Sequence, residues 1–121
     1  MIGGMFGGST DVLHAQVGEE WPLISTLLAD EVYAARYREH LEQALGGLFA
    51  LDAIETRLRQ LHTMIAPSVV GESGERPTHT TISSPDAFTT ALDGPNGLIA
   101  FIRGRHEAVR AALDATRESS K

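Results

Sequence analysis

LLADEVYAARYREHL, residues 27–41, is the stretch from which the fold is read. Tyr33, Tyr37 and Leu41 are spaced by four, and Ala44 and Leu48 continue the series at three and four. Residues three and four apart stack on one side of an α-helix, so this repeat marks a helical face. Asp30 is the natural start. Its short side chain can accept from the first free backbone N–H groups, and Glu31 favours the positive end of the helix. Gly46 and Gly47 stop it. The spacing predicts a helix over about 30–45, with both tyrosines on its packed side.

The neighbouring segments follow the same period. Trp21-Pro22 opens a short helix, since proline is tolerated where its missing N–H would be unpaired anyway. Leu23, Ile24, Leu27 and Leu28 lie on one side of it. Downstream, Leu51, Ile54, Leu58, Leu61 and Ile65 alternate steps of three and four, while Asp52, Glu55, Arg57 and Arg59 fall off that stripe. This predicts a core-facing amphipathic helix ended by Pro67. Only a short connection separates it from the helix before, which predicts an antiparallel hairpin. Ser84-Pro85-Asp86 combines cap, first-turn proline and early acid, and starts a helix to Asp93-Gly94 with Phe88, Ala91 and Leu92 inward. After the turn Pro95-Asn96-Gly97, a last helix to about Thr116 is expected to bury Leu98, Phe101, Ile102, Val109, Ala112 and Leu113.

The expected fold is all-α: a small bundle of four to five helices around a central antiparallel hairpin. Residues 1–20 form an irregular glycine-rich arm, with four of the 12 glycines at Gly3, Gly4, Gly7 and Gly8. Residues 21–121 form the helical domain, interrupted by a polar surface loop at 68–83. Within it THTTI could form a short strand, though a lone strand has no partner.

Composition narrows the function classes. The chain has 121 residues, 42% hydrophobic and 21% charged, which suits one domain with one modest core. Sixteen acidic against ten basic residues leave a net charge of -6, so a phosphate backbone is repelled and nucleic acid is a poor partner. Without cysteine there is no disulfide and no thiolate metal site. No apolar run is long enough to span a membrane. The start MIGGMFGGST has no basic region and too many glycines for a signal peptide.

Candidate chemistry is sparse. The histidines His14, His40, His62, His79 and His106 lack the spacing of a helical zinc site. His106 falls on the apolar stripe of the last helix; with Arg105 it is the candidate polar site, although a half-buried structural histidine is the simpler reading. Glu39 and Glu42 flank His40 at one and two residues, which do not face each other on a helix. GGMFGG lacks the lysine of a phosphate loop and reads as an arm. Arg103, Arg105 and Arg110 could line an anion site, but a solvated face accounts for them. Met5, Phe6 and Trp21 are the candidate interface. No catalytic, cofactor-binding or metal-binding residue is assigned.

The order of motifs carries a resemblance. W-P-L-I-x-x-L-L-A-D-E-x-Y-x-x-R-Y-x-x-H-L is followed by G-L-F, a helix ending M-I-A-P, then S-P-D-A-F and G-L-x-x-F-I-x-x-R. This resembles the C-terminal portion of the CotH family, spore-coat and secreted proteins with an atypical kinase fold. The matching positions are Pro22, Leu23, Ile24, Leu27 and Leu28; Tyr33, Arg36 and Tyr37; Ile65, Ala66 and Pro67; and Phe101, Ile102 and Arg105. They span roughly 20–113. Ala50 stands where a capping acid is expected, and the loop 68–83 matches nothing in the pattern.

The resemblance implies that the catalytic part lies upstream. Family members carry a W-D-x-N or W-D-x-D motif whose acids bind the metal–nucleotide, followed by a glycine-containing stretch that MIGGMFGG would fit. No W-D pair occurs here. The chain is therefore expected to be a helical C-terminal subdomain supporting a catalytic lobe, with ATP and a divalent metal implied only for that lobe. Its partner would be the lobe or another protein, with a homodimer also open. A bacterial cell surface, the spore coat or secretion would be its setting, and otherwise the cytoplasm. The alternative is a stand-alone helical interaction or dimerisation module; a complete enzyme is the least supported reading.

Overall fold

A computed structural model describes residues 12–13, 17–70 and 82–121. The structure is all-helical across the described residues, with five helices: α1 Pro22–Ala29, α2 Glu31–Gly46, α3 Leu51–Val69, α4 Pro85–Asp93 and α5 Leu98–Ser119. Most of the glycine-rich arm, including Met5 and Phe6, and the THTT of the expected strand lie outside the described residues.

Local chemistry sets the boundaries. Pro22 takes the first position of α1, and the Trp21 side chain makes no cap bond. Asp30 serves two helices. Its N–H donates to the Leu27 carbonyl at 3.3 Å, closing α1. Its Oδ1 accepts from the Val32 N–H at 2.8 Å, opening α2. The extended backbone of Asp30, φ -86° and ψ 123°, breaks the helical run between them. Ser84 caps α4 in the same way, accepting from the Ala87 N–H at 3.1 Å. Ala50, by contrast, offers α3 no side-chain cap.

α3 runs through Pro67 to Val69 instead of ending at the proline. Proline costs a helix one hydrogen bond and a clash with the carbonyl four residues back. Here that carbonyl is Thr63, and only Ser68 and Val69 follow the proline in the helix, so little helix depends on the turn it weakens. The turn then closes with the Val70 N–H on the Ala66 carbonyl at 2.9 Å. α5 likewise outlasts its expected end at Thr116. The side chains of Thr116 and Ser119 bond back to the carbonyls of Ala112 and Ala115, both at 3.0 Å.

The chain divides into two compact units: Met1–Gly47 with His106–Lys121, and Leu48–Arg105. α2 and α3, expected as a central pair, belong to different units. In the first unit α1 packs on α2, and Val12, Leu45 and Leu113 are buried. Tyr37 is half-buried, and its hydroxyl donates to the Val12 carbonyl at 2.8 Å, across 25 residues of sequence. Arg117 bonds Glu42, tying the end of α5 to α2.

In the second unit Phe88, Leu92 and Ile99 are buried. The His62 ring stacks on Phe88 with centroids 3.9 Å apart and 13° between planes. Its Nε2 lies 3.0 Å from the Phe88 carbonyl, so that nitrogen carries the proton and donates. Gly97 is buried in the turn between α4 and α5, its N–H on the Gly94 carbonyl at 2.8 Å.

Several expected core positions are not buried. Ala91 is exposed. Leu98 and Phe101 keep 44% and 39% of their surface, while Ile99, one step round the helix, is buried at 4%. Tyr33 and Leu48, at two positions of the opening stripe, are exposed. On α3, Leu51, Ile54, Leu58 and Leu61 are half-buried and Ile65 is exposed. Period identifies a face, but tertiary packing decides how far and about which centre that face is covered.

Candidate interaction surface

Apolar side chains left in solvent are the most pronounced feature of the first unit. Leu23 is 70% exposed, Trp21 60%, Leu27 38% and Ile24 37%. Leu23 and Leu27 are four apart and Ile24 and Leu27 three apart, so they are neighbours on the helix surface. Trp21 stands at the start of the same helix. The other side of α1 contributes Ser25, Leu28 and Ala29 to a cavity of about 330 Å³, together with Ala34 and Tyr37 of α2. The side of α1 nearest α2 is thus its more polar one, and three of its four large aliphatic residues point elsewhere.

Charge frames this face. Pro22–Ala29 contains no ionisable residue. Glu19 and Glu20 precede it and Asp30 and Glu31 follow it, all four exposed. The first basic residue of the chain is Arg36.

The second unit also shows large apolar residues to solvent: Leu48, Phe49, Met64, Ile65, Leu98 and Phe101. Two of its arginines are paired with carboxylates of the same unit. Arg103 forks onto Glu55, Nε to Oε1 at 2.5 Å and Nη2 to Oε2 at 2.8 Å. That two-point bond holds the Glu55 carboxyl below its usual range and raises the Arg103 guanidinium. Arg59 Nη1 reaches Asp93 at 2.8 Å. Arg103, weighed above for an anion site, is already engaged by a carboxylate of its own unit. Nothing local in the sequence signals this pair, whose members are 48 residues apart.

Of the expected site residues, Trp21 is exposed. Met5 and Phe6 lie outside the described residues. Arg105 and His106 are both half-buried on α5. As successive helical residues their side chains diverge by about 100°. Among the described residues no group of three or more His, Asp or Glu is placed to hold a metal ion. The described helices include none long and apolar enough to cross a membrane.

A family model described as CotH kinase protein matches residues 9–109. The chain belongs to the CotH family. The match takes in Trp21-Pro22, the α2 tyrosines, the end of α3 and the Phe101–Arg105 segment, the same features that carry the resemblance in the sequence. No curated protein and no solved structure matches the chain.

Proposed function

We propose that this CotH-family chain is the helical C-terminal part of a CotH-like atypical kinase, and that it supports a catalytic lobe formed by other residues. One observation carries this: α1 is wholly uncharged, packs on α2, and still leaves Trp21, Leu23, Ile24 and Leu27 in solvent. An apolar face that keeps this much of its surface in solvent fits a surface that another body completes. Trp21 and α1 would meet the lobe, and Met5 and Phe6 are assigned to the same contact from the sequence alone.

The residues of this chain support a structural role more than a chemical one. Its one tryptophan is followed by proline, not by the aspartate of the metal–nucleotide motif. ATP and its metal are implied only for the family's catalytic lobe, and no transfer step is routed through this chain. A cell-surface, spore-coat or secreted setting follows from the same assignment.

The reading frame upstream of Met1 tests this directly. A long coding region with a tryptophan–aspartate motif is expected; a stop codon and ribosome-binding site directly before Met1 would overturn the proposal. Calorimetry on the isolated chain is expected to show no tight ATP–magnesium binding, and tight binding would overturn the purely supporting role.

A further inference from the structure

The chemistry of the partner is written in the residues around α1. The exposed face is apolar along its length, through Leu23, Ile24 and Leu27 with Trp21 at its start. Acids close it at both ends, Glu19 and Glu20 before it and Asp30 and Glu31 after it, all exposed. The first basic residue, Arg36, pairs with Glu39 at 3.7 Å, and Arg38 lines the cavity on the other side of α1. A partner lying along α1 therefore meets hydrocarbon in the middle and negative charge at either end.

We infer that this face docks an amphipathic helix whose apolar stripe is flanked by basic residues at both ends. That the helix belongs to the catalytic lobe rests on the function proposed above; its chemistry is derived from this chain alone. Burial of the leucine face supplies affinity, and the flanking charges supply register and choice of partner.

Charge also argues against the other occupants. A second copy of the chain docked through the same face, in either direction, sets acids against acids, since both ends of α1 are acidic. An anionic lipid surface is repelled in the same way. A basic helix is the occupant that removes apolar surface from water without a charge penalty.

Trp21 is the only tryptophan and is exposed, so its emission reports docking without a label. The probes are two synthetic peptides with the same leucine-faced helix, one with lysines at both ends and one with glutamates. The lysine-ended peptide is expected to blue-shift Trp21 emission and to bind at least about tenfold more tightly than its twin, a preference that shrinks as salt rises above about 0.1 M. Leu23→Asp and Leu27→Asp, both at exposed positions, are expected to abolish binding with the far-UV circular dichroism unchanged. Glu19→Lys with Glu20→Lys is expected to erase the preference while leaving binding to the apolar stripe.

Equal binding of both peptides, or no shift with either, overturns the inference. So does a dimer in light scattering that Leu23→Asp dissolves, or binding to vesicles rich in anionic lipid. If the peptides fail while an upstream catalytic region is found, the docking chemistry falls and the lobe assignment stands. If the lysine-ended peptide binds while a stop codon precedes Met1, the chemistry stands and the lobe assignment falls.

Discussion

α1 and α4 start alike and end differently. They have 8 and 9 residues and both open on a proline. α1 is the more apolar, yet none of its residues is fully buried, whereas α4 buries Phe88 and Leu92. The reason is angular. Phe88 and Leu92 are four apart and fall on one line, which a single neighbouring surface can cover. Leu23 and Leu28 are five apart and lie about 140° from each other around the axis, a wider arc than α2 alone covers. Hydrophobicity thus says how much a helix would gain by burial, while the spread of its residues says how many neighbours that burial needs.

The contrast can be broken first at Phe88. Phe88→Ala empties a buried site and the His62 stack, and should cost about 3–5 kcal/mol in urea unfolding. A loss under about 1 kcal/mol would mean that α4 is no better anchored than α1. Ser84→Ala removes the cap that α1 lacks, and should cost about 1 kcal/mol. Tyr37→Phe should cost about 1 kcal/mol as well, because it strands the Val12 carbonyl. Hydrogen exchange should then quicken around Val12 and Leu13 while α4 keeps its protection.

The acid response is smaller, since the ion pair behind it faces solvent and is screened. Arg103 depresses the Glu55 pKa in the folded chain. Stability from this pair is therefore complete above the ordinary glutamate value, about 4.3, and is lost as pH falls through the lower folded value. Glu55→Gln should remove that acid step and leave the neutral-pH spectrum intact; an unchanged acid titration would show that the pair contributes nothing. Smallest of all, Leu23→Ala should alter stability by under about 0.5 kcal/mol, as for other surface substitutions. A larger loss would mean that the α1 face is already covered within this chain.

How much of this is legible in the sequence depends on range. Asp30, Ser84 and the prolines at 22 and 85 announce helix starts, because a cap acts on backbone groups two or three residues away. The all-helical class follows from the same local signals. Which residues of a stripe are buried does not. Ile99 and Phe101 are two residues apart on one helix, and only the packing around each decides that the first is buried and the second exposed. Arg103–Glu55 and Arg117–Glu42 close over 48 and 75 residues, and no local pattern foretells them. The exposed apolar face was legible only in part: Trp21 stands out as a candidate, and the side shared by Leu23 and Leu27 is readable, but not that it stays in solvent.

Gly97 sets a different limit on how this chain can vary. A Cβ there would stand 2.7 Å from the Leu92 carbonyl oxygen, 2.8 Å from that of Thr90 and 2.9 Å from the Gly94 nitrogen, all backbone atoms that no rotamer change can move aside. Every missense change in a glycine codon adds at least that carbon. Inheritance is therefore free to exchange one solvent-facing leucine of α1 for another apolar residue, while at this turn the genetic code offers no neutral missense step.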